Sequence, residues 1–291
     1  MVINKHGSFY LRSGWGTKII QAVEADDMIF SPANEQEAVD RIGLGRVMIK
    51  ALRYWADASG LTTEEKVQGG IAERRTDLFD LLEANDRYFQ KPGSLLLLHR
   101  NIALNEENAT AWYWAFNEFD KQAFTKEEFV DGLHYFLAVN EMSIKKAAVD
   151  KEFNCFKNTY LADKKFDIKT VMDEDTYPFF GSLHLLRINE DKKFEKTYLT
   201  KAEMPLHILI YAIAKDNPEE SSHRGQISID KIMEEKRQVG RYFPMRYSKL
   251  IDMLLEAENK KLLTLNNNFG NRFIEFSDVQ YDRLLDEYYM E

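Results

Sequence analysis

Residues 35–60 read EQEAVDRIGLGRVMIKALRYWADASG, two helical patterns separated by a glycine-bounded break. Glu35 to Ile42 is spaced as a short helix carrying Ala38 and Ile42 inward. Gly43-Leu44-Gly45 supplies a turn, and Arg46 to Ala58 is spaced as a second helix. On that second helix Met48, Leu52 and Trp55 recur at i, i+4 and i+7 and face a core. Arg46, Lys50 and Arg53 recur at the same spacing on a different face. A short helix, a tight turn and a helix with a cationic stripe is the pattern of a helix-turn-helix. Its second helix would enter a groove of duplex DNA, with Arg46 near base edges and Lys50 and Arg53 on bases or backbone oxygens. The same residues also fit a solvated basic face on a helical hairpin, and Arg53 is equally placed to stack on Tyr54 or pair with Asp57.

Upstream, Ser31-Pro32 marks a turn, and Arg12 and Lys18 flank a glycine-broken start of a helix that contains Trp15. The two cations either extend the basic patch or pair with Glu24, Asp26 or Asp27.

Beyond this segment the chain reads as mainly α. Residues 1–62 form an N-terminal helix-turn-helix DNA-binding unit, 63–195 a helical middle region, and 196–291 a winged-helix-like unit with a small β-hairpin. In the middle region Leu78, Leu81 and Leu82 repeat at helical spacing, as do Phe129, Leu133 and Phe136, while Thr125 with Glu128 makes a capping box. Trp112, Trp114, Phe116 and Phe119 are spaced for burial rather than as a stacking platform for bases. In the last unit Thr200 and Glu203 cap a helix running through Ile213, and Gly225 to Ile229 forms a short strand. Tyr247, Leu250, Ile251, Leu254 and Leu255 make an apolar helical face. Leu262–Leu265 and Arg272–Phe276 form a hairpin across Asn266-Asn267-Asn268-Phe269-Gly270. The helix in the reading position of that unit sets Asp252, Glu256 and Glu258 against Lys249, which opposes a phosphate surface. A protein-contact or dimerisation role fits it better, with Arg241, Arg246 and Arg272 as the cations that would argue otherwise.

The chain has 291 residues, 44% hydrophobic and 30% charged, with a formal charge of −9. That length accommodates more than one packed unit, and the acidic balance confines any nucleic-acid contact to a local patch. No apolar run approaches the roughly 20 residues of a membrane span and no secretory signal opens the chain, so a cytoplasmic location without membrane contact is expected. The single cysteine, Cys155, excludes an internal disulfide and a multi-cysteine zinc site. Between Phe153 and Phe156 it reads as a small core residue rather than a sulfur carrier.

A wider set of residues carries a resemblance. Arg12-x-Gly14-Trp15-x-x-Lys18, Gly43-Leu44-Gly45-Arg46-x-Met48, Arg53-Tyr54-Trp55, Asp86-x-Tyr88 and His99, in that order, resemble domain-of-unknown-function family four-thousand-and-seven over most of the chain. Members of that family lie beside genes for DNA phosphorothioation, the exchange of a nonbridging phosphate oxygen for sulfur, and include a DNA nickase. The resemblance implies a DNA-binding protein of a phosphorothioation-based modification and antiviral defence system, close to an endonuclease that opens one strand for sulfur insertion. The partners it implies are duplex DNA, the sulfurtransferase or other phosphorothioation proteins, and a second copy of the chain. The alternatives are a noncatalytic adaptor that recruits the sulfurtransferase and a transcriptional regulator, which needs a symmetric dimer.

Nicking calls for carboxylates holding Mg²⁺ or Mn²⁺ and a group that handles the attacking water. Glu-x-Lys triplets occur at Glu64/Lys66, Glu190/Lys192, Glu234/Lys236 and Glu258/Lys260, none on a segment that reads as a strand after an isolated Asp. Asp86 and His99, with a turn at Pro92-Gly93 between them, are candidates for a general base or metal ligand. The competing reading makes Asp86 a helix cap and His99 a hydrogen-bonded core residue. There is no phosphate-cradling glycine loop followed by lysine, so no nucleotide cofactor is expected.

Overall fold

The computed structural model describes residues 1–162, 177–200, 202–268 and 271–291. The stretch 163–176 of the expected middle region lies outside the described residues, as do Phe269 and Gly270 of the expected turn Asn266–Gly270, whose Asn266–Asn268 instead belong to a strand. The fold is mainly helical with small antiparallel sheets. It separates into two compact units, residues 1–115 with 121–195, and residues 116–120 with 196–291.

The first unit begins with α1 (Trp15–Ala25), α2 (Glu35–Ile42) and α3 (Arg46–Ala58). The turn between α2 and α3 has one position that demands glycine, Gly43 with φ 73°, in the left-handed region where a Cβ is strained. Gly45, the N-cap of α3, has φ −63° and makes no such demand. The helix boundaries match the sequence spacing. On α3, Leu52 and Trp55 are fully buried as expected and Met48 is half-buried, while Ile49 and Ala56 complete the inward face. The Trp55 indole donates to the carbonyl of Phe9 at 3.0 Å and meets Trp112 edge-on, tying α3 to the N-terminal segment and the core.

Next comes an element that the spacing does not announce, a hairpin of β1 (Thr62–Val67) and β2 (Gly70–Arg75), antiparallel with Glu64 opposite Glu73 and Val67 opposite Gly70. Its strands are too polar to alternate visibly. Gln68 and Gly69 make the two-residue turn, with Gly69 at φ 100°. Helices α4 (Asp77–Asn85), α5 (Pro92–Leu104) and α6 (Thr110–Asn117) follow, then β3 (Ala123–Phe124), α7 (Lys126–Val139) and α8 (Lys146–Tyr160). Thr125 and Glu128 form the reciprocal capping box at the start of α7. Strands β4 (Leu186–Ile188) and β5 (Phe194–Lys196) make a small sheet in the order β3-β5-β4. The aromatic core gathers Phe129, Phe153, Phe156 and Tyr160, with Trp112 and Trp114 buried against it, so those two tryptophans are core as their spacing suggests.

The second unit contains α9 (Leu206–Asp216), α10 (Pro218–Ser222), β6 (Gln226–Ser228), α11 (Ile229–Glu234), α12 (Val239–Tyr242), α13 (Tyr247–Asn259), β7 (Leu263–Asn268), β8 (Asn271–Phe276) and α14 (Arg283–Met290). Its sheet runs β6-β8-β7, all antiparallel, and Leu250, Met253, Leu254 and Ala257 turn the inner face of α13 to the core. Pro205 sets the start of α9. The Thr200–Glu203 contact closes a separate turn before it, so the helix opens later than the capping pattern suggests.

Candidate nucleic-acid interface

Arg46 and Lys50 sit one turn apart on the outer face of α3, with side chains 65% and 72% exposed. Each meets a carboxylate from α2. Lys50 Nζ lies 2.9 Å from Glu35 Oε1, and Arg46 Nε lies 3.9 Å from Glu35 Oε2, while Arg46 Nη2 donates to Gln36 Oε1 at 3.0 Å. The Lys50 hydrogen bond, with the charges of Lys50 and Arg46 behind it, holds the Glu35 carboxyl below its ordinary range. Val47 is exposed beside them.

Arg53, the third member of the spacing, has a different environment. Its side chain is 19% exposed and is gripped by the hairpin: Nη2 lies 2.7 Å from Glu64 Oε1, and Nε lies 3.3 Å from Glu73 Oε1 without hydrogen-bond geometry. Glu73 is buried and takes a 2.6 Å bond from the Thr62 hydroxyl. Burial first, and then the charge of Glu64, raise its pKa despite Thr62 and Arg53. Asp57, half-buried on the same helix, is pushed up by burial and by Glu64 as well. A cleft of about 840 Å³ opens here, lined by Lys5, Glu35, Lys50, Arg53, Asp57 and Glu64 among others. Asp57 accepts from the Asn108 side chain rather than pairing with Arg53.

The upstream cations are placed apart from this face. Lys18 Nζ donates to the carbonyl of Ile42 at 3.1 Å, satisfying one of the open carbonyls at the end of α2 and meeting the negative end of its dipole. The Arg12 guanidinium lies over Tyr10 at 4.9 Å and near Trp15 and Phe9. Neither forms an ion pair with Glu24, Asp26 or Asp27; those carboxylates meet Arg87, Arg41 and Arg74.

Asp86 and His99 both belong to the core of the first unit. Asp86 Oδ1 accepts from the Gln90 amide at 2.8 Å, and Oδ2 accepts from the Lys91 amide at 2.9 Å and the Ser94 hydroxyl at 2.6 Å. His99 is fully buried, its Nδ1 2.9 Å from the Tyr160 hydroxyl and its ring edge-on to Tyr160 and Phe180. Among the described residues no group of His, Cys, Asp and Glu is arranged to hold a metal ion. Of the Glu-x-Lys triplets, Glu64/Lys66 does lie on a strand, β1, a placement that polar composition conceals. Its Glu64 is engaged with Arg53. Cys155 is buried, and burial followed by the charge of Glu152 raises its thiol well above the ordinary range, which disfavours a thiolate.

In the second unit Arg241 is spent on the Asn117 carbonyl and Asp120, at 2.7 and 2.6 Å. Arg246 and Arg272 lie over Tyr198 and Tyr247.

The model of a family described as "Protein of unknown function (DUF4007)" matches residues 3–289. The chain belongs to the DUF4007 family. A comparison with curated proteins finds no match. Among solved structures, the "SspB crystal structure" is similar with TM-score 0.83 and 24% identity, covering 99% of this chain and 88% of that one. The "Magnesium ion-bound SspB crystal structure" is similar with TM-score 0.81 and 23% identity, at the same coverage. These likenesses establish a shared fold for this DUF4007 member. No helix among the described residues is long and apolar enough to cross a membrane.

Proposed function

We propose that this DUF4007 protein binds duplex DNA within a phosphorothioation-based modification and defence system, with α2, the Gly43–Gly45 turn and α3 acting as a helix-turn-helix. The observation that carries the reading is the division of α3 into a fully buried face, Leu52 and Trp55, and an outer face on which Arg46 and Lys50 are 65% and 72% exposed, held only by the surface contacts to Glu35 and Gln36. Lys18 supports this device by closing the end of α2, Arg12 by packing the aromatic segment before α1, and Arg53 by anchoring α3 to the hairpin. The second unit, with β6 followed by helices α11 to α13, the β7–β8 hairpin and a three-stranded β6-β8-β7 sheet, suits a winged-helix-like module. The acidic outer side of α13, with Asp252 and Glu256, directs it towards a protein partner such as the sulfurtransferase or a second copy of the chain.

Nicking of one strand is the activity that the resemblance implies, and the similarity to a magnesium-bound SspB makes Mg²⁺, with Mn²⁺ beside it, the metal to test. Among the described residues, no group of His, Cys, Asp and Glu side chains fits a metal centre. The hydrogen bonds of Asp86 and His99 support a scaffolding role for both around α5.

Two assays test the proposal together. Duplex binding by the purified chain should weaken by about ten- to a hundredfold in Arg46→Ala with Lys50→Ala, and the salt slope should fall by about two. Conversion of supercoiled plasmid to open circles, with Mg²⁺, Mn²⁺ or chelator, decides between nickase and adaptor. Duplex affinity indifferent to the double substitution would remove α3 as the reader.

A further inference from the structure

The outer face of α3 is already engaged by carboxylates from elsewhere in the chain. Arg46 and Lys50 meet Glu35, and Arg53 meets Glu64 and Glu73. These two arrangements differ in kind. Arg53 is half-buried and held from two sides, so its pairing is part of the packing. The Glu35 contacts are made to side chains that are 65% and 72% exposed, where water screens the attraction and exchange with another anion is easy. Glu35 spreads its two oxygens between cations one helical turn apart, Oε1 to Lys50 and Oε2 to Arg46. Two nonbridging oxygens of a DNA phosphate would meet those cations in the same way.

We propose that Glu35 is an internal stand-in for a backbone phosphate: it holds Arg46 and Lys50 in the free protein and is displaced by the phosphate when duplex DNA binds. This rests on the reading of α3 as the DNA-contacting helix and adds how that helix is regulated. Glu35 is well placed for the task. It is the first residue of α2, where the positive end of the helix dipole favours a charged carboxylate, and Gln36 beside it holds the second donor of Arg46. The Lys50 hydrogen bond and the charges of Lys50 and Arg46 hold its carboxyl below the ordinary range. The consequence is a threshold. A phosphate contact gains only the difference between the DNA anion and the internal one, so weak, nonspecific encounters gain little, in keeping with the acidic balance of the whole chain. On displacement, the freed Glu35 recruits a cation from solution and cancels one of the counterions that the DNA releases.

Fluorescence anisotropy of the full chain with a labelled mixed-sequence duplex of about two helical turns tests this. Glu35→Gln keeps the shape and removes the charge. It is expected to tighten binding about three- to tenfold and to steepen the dependence of log K on log salt by about one. Glu37→Gln is the control, because it makes the same change in net charge on the same helix, where Glu37 instead faces Arg41 at 3.1 Å. It should leave affinity within about twofold. Equal tightening by both variants would reduce the effect to net charge and overturn the proposal. So would unchanged or weaker binding by Glu35→Gln and by Glu35→Ala with unchanged melting temperatures. If Arg46→Ala with Lys50→Ala weakens binding but Glu35→Gln does not tighten it, the stand-in fails and the reader survives. Indifference to the double substitution removes both.

Discussion

Asp86 accepts hydrogen bonds from two backbone amides and a hydroxyl while nearly buried, so its chemistry is spent on shaping the turn that launches α5. Asp86→Ala leaves those donors without a charged acceptor, and a loss of roughly 2–3 kcal/mol in denaturant-derived stability is expected. Any loss of DNA-related activity should track that loss of folded protein. Arg53 makes a parallel case. Removing it strands the Glu73 carboxylate in the interior, and breaking a buried pair from one side typically costs about 3 kcal/mol or more. Arg53→Ala should therefore lower the unfolding midpoint strongly, yet reduce duplex affinity of the folded protein less than loss of Arg46 and Lys50 does. A stable Arg53→Ala with severely weakened binding would show that the hairpin does not own this side chain. Both cases turn on burial, which spacing along a sequence does not measure. The helical period places Arg46, Lys50 and Arg53 on one stripe, but not the hairpin that covers only the last of them.

At the scale of elements, the α2–turn–α3 unit was legible because its signals are local. The 3.6-residue period set both helices, and a glycine pair marked the break. The two glycines are not equivalent, however. Gly43→Ala, at φ 73°, should cost on the order of 1 kcal/mol through backbone strain alone, since nothing lies within 4 Å of the added methyl. Gly45→Ser, at an N-cap with ordinary φ, should be neutral or stabilising by about half a kcal/mol. Thermal melts of the two variants separate these outcomes, and equal destabilisation would contradict the assigned turn. The β1–β2 hairpin escaped the sequence reading because Thr62–Val67 and Gly70–Arg75 show charge where strands usually show apolar alternation. What ties it to neighbouring elements is long-range in sequence: the ion pairs Arg74 to Asp27 and Arg53 to Glu64 and Glu73, and the burial of Thr62 and Ala72.

At the scale of the whole molecule, the two units carry separate chemistry, and the second contains a buried titrating amine. Lys196 is 8% exposed, donates to the Phe119 carbonyl at 2.5 Å, and has its pKa lowered to about 7, by burial first and then by the Arg241 charge. The unfolded chain holds that proton up to about 10.5. Between these values the unfolded state binds more protons, so stability should rise with pH from about 7 towards 10, at up to roughly 1.4 kcal/mol per pH unit, and be flat with respect to this group below 7. Urea titrations across that range should show the slope in the wild type and its loss in Lys196→Met. A slope that persists in the variant would assign it to another group.

The sequence by itself determined what depends on near neighbours. It set the mainly helical class, the α2 and α3 boundaries, the capping box at Thr125 and the presence, though not the turn length, of the C-terminal hairpin. It also indicated the burial of Trp112 and Trp114 and the family to which the chain belongs. Only the tertiary structure decided which members of the cationic stripe remain available. Lys18 is turned to the end of α2, Arg12 is laid over aromatic rings, Arg53 is locked to the hairpin, and Arg46 and Lys50 are left exposed with Glu35 between them. The reason is physical. Periodicity is a property of one helix, whereas the availability of a charge depends on burial and on counter-charges brought from distant positions by folding.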